Sequence, residues 1–98
     1  MASSCSLDRD GRARQIARYA ALAPSVAAME RGARRLDVAF AAGYDRALLD
    51  ELVAVERECC PFLAIEVGER SLAISVPSDD EAPMLDVFAE ALGATAVG

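Results

Sequence analysis

The chain has 98 residues, of which 54% are apolar and 27% charged, and its net charge is −6. That composition fits one folded domain and excludes a disordered chain. The acidic balance, with no basic block, weighs against nucleic acid and anionic membrane surfaces as partners, and no apolar run approaches the roughly 20 residues of a membrane span.

Residues 1–6 are small and polar and read as a flexible N-terminal arm carrying Cys5. The arm has neither the basic nor the apolar stretch of a secretory signal, so a cytoplasmic protein is expected. Ser6 or Asp8 can cap a first helix over Arg9 to Ala23. There Ala13, Ile16, Ala17, Tyr19, Ala20 and Ala23 recur at helical spacing, with Arg12, Arg14 and Arg18 on the other side. Pro24 breaks this helix, Ser25 can restart a short helical piece over Val26 to Arg31, and Gly32 ends it. Leu36, Val38 and Phe40 then alternate with Arg35, Asp37 and Ala39, which is the period of a half-buried strand.

After a turn at Gly43, Asp45 opens a second helix that runs to Cys59. Leu48, Leu52, Val55 and Cys59 form one apolar stripe, and Leu49 and Val53 lie near Cys60, about 100° further round. Glu56 falls inside this apolar arc, one turn before both cysteines, while Arg46, Asp50, Glu51, Arg57 and Glu58 take the opposite arc. Pro61 cannot continue the helix and pushes Cys60 toward an extended conformation. One carboxylate and two sulfurs therefore converge at a helix end.

Phe62 to Val67 and Arg70 to Val76 read as a hairpin turning on Gly68-Glu69, with Leu63, Ile65, Val67, Leu72, Ile74 and Val76 inward. Ser78 and Glu81 have the spacing of a capping box, but Pro83 makes Asp80 the better cap of a third helix carrying Met84, Leu85, Phe88, Ala89 and Leu92. Gly93 ends that helix, and residues 94–98 read as a frayed tail. The expected fold is α+β and a single domain over residues 1–98. Three helices and a three-stranded, mainly antiparallel sheet follow in the order α-β-α-β-β-α, half of a ferredoxin-like sheet. The third strand is expected between the other two, with a right-handed crossover through the central helix. The uncovered face, with Ala39, Ala64 and Ala73 beside Asp37, Glu66, Ser71 and Ser75, offers a surface for a homodimer.

The chain has no His, which removes imidazole catalysis and every His-containing metal site, so no catalytic residue is assigned. Thiolates are ligands for soft ions such as Hg(II), As(III), Cu(I) and Zn(II). Cys59 and Cys60 are the first candidates, Cys5 a third ligand, and Glu56 a fourth ligand or a group orienting a thiol. The residues leave two alternatives open: a redox pair between Cys5 and Cys59 or Cys60, or cysteines that are simply core. The run Val55-Glu56-Arg57-Glu58-Cys59-Cys60-Pro61-Phe62, with Cys5-Ser6-Leu7-Asp8 upstream, resembles a family of small bacterial proteins of this length. Some members occur among heavy-metal, particularly mercury, resistance functions, and the family has no established activity. The resemblance implies that Cys5, Cys59 and Cys60 act together.

Overall fold

The computed structural model of the chain describes residues 9–93, and of residues 9, 10 and 12 the backbone alone. The expected arm, with Cys5, and the expected tail lie outside the described residues. The elements in order are α1 (Arg9–Tyr19), a 3-10 segment (Ala20–Ser25), β1 (Val26–Arg31), β2 (Arg35–Phe40), α2 (Arg46–Cys59), β3 (Ala64–Val67), β4 (Ser71–Ser75), a 3-10 turn (Asp79–Glu81) and α3 (Pro83–Leu92). The fold is α+β, with four antiparallel-paired strands in the order β1-β2-β4-β3. The sheet therefore has one strand more than expected. Since β4 is antiparallel to both β2 and β3, those two run parallel, with α2 as their connection and β4 inserted between them.

The added strand is the segment expected to be helical. Val26 pairs with Phe40 and Ala28 with Ala39, so Ala27 is an extra residue, a bulge in the β1–β2 ladder. The bulge resets the alternation. Val26 and Met29 both pack against the core, three positions apart, a spacing that imitates a helix face. Pro24 lies inside the 3-10 segment that follows α1, so the first helix stops at Tyr19 rather than Ala23.

On the other strands the alternation holds. Leu36, Val38 and Phe40 of β2 and Leu72 and Ile74 of β4 are buried, and they join Leu49, Leu52 and Val53 of α2 and Leu85, Phe88 and Leu92 of α3 in one core. The β3–β4 turn sits one residue later than expected. Val67 pairs with Leu72 and the Gly68 N–H donates to Ser71 O at 2.9 Å, which leaves Glu69 and Arg70 as the turn. That shifts the pairing by two residues, so every inward side chain stays inward. At the start of α3, Pro83 occupies the first turn, and Ala82 rather than Asp80 is the cap residue. Ser78 instead hydrogen-bonds the Glu81 carboxylate within the preceding 3-10 turn.

The face of the sheet away from the core is an open groove. Ala28, Ala39 and Ala73 lie there among Glu30, Asp37, Glu66 and Ser71. Arg35 crosses it, 3.0 Å from Asp37 and 3.8 Å from Glu66. No helix among the described residues is long and apolar enough to cross a membrane.

Candidate functional site

α2 is fixed at both ends by its own sequence. Gly43 takes a positive φ of 85° in the turn before it, which a side chain would strain. Asp45 caps it, its Oδ1 accepting from the Leu48 N–H at 3.0 Å. At the other end Cys60 leaves helical geometry, with φ −130° and ψ 69°, while its N–H still donates to Glu56 O at 2.7 Å. The Cys60 carbonyl then accepts from the Leu63 N–H at 3.0 Å, closing a turn with Pro61 at its second position. Cys60 is thus held by one hydrogen bond on each side, and Pro61 sets the exit direction. Arg57 reaches across to β3 and donates to Ile65 O at 2.9 Å, tying the edge strand to the helix end.

The two adjacent cysteines have different surroundings. Cys60 is 0% exposed, packed in the core cluster with Leu63, and is disulfide-bonded. Cys59 is half-buried at the margin of the same cluster and is a free thiol. The chain has three cysteines, and Cys5 lies outside the described residues.

Glu56 faces inward beneath this helix end and is 1% exposed. Its Oε2 accepts from Tyr19 OH and from Gln15 Nε2, each at 3.2 Å, and Gln15 Nε2 also donates to Leu52 O at 3.1 Å. A carboxylate withdrawn from water is costly unless donors replace its hydration, and these two side chains of α1 do so. Tyr19 is fixed in turn by edge-to-face packing on Phe88 of α3, with ring centroids 5.3 Å apart. The network therefore joins α1, α2 and α3 one helical turn from Cys60.

Of the expected ligands, the structure brings Cys59, Cys60 and Glu56 to one end of α2, with Glu56 and Cys60 buried and Cys59 half-buried. Among the described residues, no group of three or more Cys, Asp or Glu could hold a metal ion. Sequence reasoning missed Gln15 altogether, and it placed Tyr19 on the inner face of the first helix without identifying it as a partner of Glu56. Of the expected inner face of the first helix, Tyr19 and Ala23 are buried and Ile16 is half-buried, whereas Ala13, Ala17 and Ala20 are exposed. Gln15 and Leu22 are buried with Tyr19, and the i, i+4, i+7 spacing of the three was the available signal.

No protein-family model, curated protein or solved structure matches the chain.

Proposed function

We propose that the protein binds a soft metal ion through cysteine thiolates, with Cys60 and Cys59 at the end of α2 and Cys5 as the third ligand. The observation that supports this reading most is the disulfide at Cys60 beside the free thiol of Cys59. A sulfur in a disulfide has a second sulfur within bonding reach. Reduction therefore leaves two thiols facing each other and a third on the neighbouring residue. Cys5 is the remaining cysteine of the chain and is the third ligand of this reading. Such a set favours Hg(II), As(III) and Cu(I) over hard cations. Zn(II) would need a fourth ligand, and the Glu56 oxygen that accepts from Tyr19 and Gln15 is already engaged. We place the protein in the reducing cytoplasm, where the thiols stay available, in a role in metal resistance or trafficking.

The test is metal binding by reduced Cys60→Ser and Cys59→Ser chains beside the parent. The reading expects both variants to bind Hg(II) and As(III) more weakly. Binding by the double variant as tight as the parent's would sink it.

A second reading, a thiol redox switch, is favoured by the same disulfide. It expects a reduction potential inside the cytosolic glutathione range of about −220 to −320 mV, and a potential far below that range would identify a permanent structural bond.

A further inference from the structure

We propose that the open face of the sheet docks a basic, extended segment of a partner protein, whose Arg or Lys side chains complete a row of carboxylates that this chain leaves short of cations. The face is the one turned away from the core, and the proposal is independent of the thiol reading.

The strand register sets the side chains of this face in rows. Glu30 of β1 pairs with Asp37 of β2, Asp37 with Ala73 of β4, and Ala73 with Glu66 of β3. Three carboxylates therefore stand in one row across the four strands, a span of about 14 Å at the usual strand spacing. Glu30 and Asp37 are directly opposite each other, and like charges so placed cost a sheet stability. Among the described residues, Arg35 is the one basic residue that lines the groove, and Asp37 at 3.0 Å and Glu66 at 3.8 Å share it. Glu30 pairs with no cation among the described residues. The row keeps a surplus of negative charge that the fold does not neutralise.

The next row is nearly flat. Ala28 pairs with Ala39 and Ala39 with Ser71, and the Gly68 N–H donates to Ser71 O. Side chains this small let a backbone lie close to the sheet while its long basic side chains reach the carboxylates. An extended segment advances about 3.3 Å per residue, so basic residues at i, i+2 and i+4 cover the length of the row. Charge complementarity selects this occupant. Residues 1–8 and 94–98 of the chain contain no Arg or Lys, so their side chains cannot supply the missing cations. A second copy laid face to face would double the negative surplus. The carboxylates are exposed, so each pair adds modestly and the contact is a salt-sensitive one.

The probe is an end-blocked peptide of alternating Arg and Ala with three Arg, titrated into the folded, isotope-labelled protein at low salt. The backbone amide signals of Ala28, Ala39, Ser71 and Ala73 are expected to move, and binding to weaken as salt is added. Glu30→Gln with Glu66→Gln is expected to weaken binding about tenfold. The double variant removes a like-charge pair, so thermal unfolding should show it at least as stable as the parent. Asp80→Asn with Glu90→Gln changes the net charge equally at exposed positions outside the groove, and should weaken binding less than about twofold. Equal weakening by the two double variants would mean general attraction to an acidic protein and would overturn the proposal, as would amide signals on the face that do not move. A protein that sediments alone as a dimer, and as a monomer once Glu30 and Glu66 are replaced, would give the face to a second copy and overturn it too.

Discussion

Cys59 and Cys60 are neighbours in sequence that differ in almost every physical respect. Cys60 ends the helix, is sealed in the core and carries the disulfide, whereas Cys59 is still helical, half-buried and free. Replacing each by Ser should separate the two roles. Cys60→Ser should cost the oxidised protein about 2–4 kcal/mol through loss of the cross-link, measured by urea unfolding with and without reductant. Cys59→Ser, at the rim of the core, should cost less than about 1 kcal/mol under both conditions. Equal losses for the two would contradict the difference in their surroundings. Glu56→Ala removes the acceptor shared by two buried donors and should cost about 2–3 kcal/mol, with Glu56→Gln costing less.

At the scale of elements, α2 carries the candidate site, and its ends were readable because each is marked by a residue with a local mechanism. Asp45 supplies a side-chain acceptor and Pro61 a missing donor. Asp45→Ala should cost about 1 kcal/mol by thermal or urea unfolding, and no loss would mean that packing alone sets the start of α2. The alternation in β2, β3 and β4 was equally legible, because each has one buried face. β1 was not. Its sequence Val-Ala-Ala-Met-Glu-Arg has strong helix formers and no alternation, and the bulge at Ala27 brings Val26 and Met29 to the same side. Only pairing with β2 makes it a strand, and Arg31 supports that hairpin from α3 by donating to Asp86 and to Ala82 O. In the candidate site the cysteines and Glu56 were visible from motif and helical arc. The pairing of Gln15 and Tyr19 with Glu56 was not, since periodicity can bury a residue but does not encode which polar partner it meets.

At the scale of the whole molecule, the helices and the inner face of the sheet enclose one core, and the proposed thiol site lies at the end of α2. The described ion pairs are exposed on at least one side and add little to this arrangement. Arg18→Ala should therefore cost less than about 1 kcal/mol although it breaks a 2.8 Å contact between α1 and α2. A larger loss would mean that α1 is held at the surface rather than through the buried Gln15–Tyr19–Glu56 set.

The central claim is that the cysteines form one soft-metal site. Its most direct test is titration of the fully reduced, folded protein with Hg(II), As(III), Cu(I) and Zn(II), counting free thiols at each step. The account predicts that all three thiols are masked together at one Hg(II) or As(III) per chain, with Zn(II) bound more weakly. Thiols that stay free in the folded protein, and react with metal only after it unfolds, would contradict it.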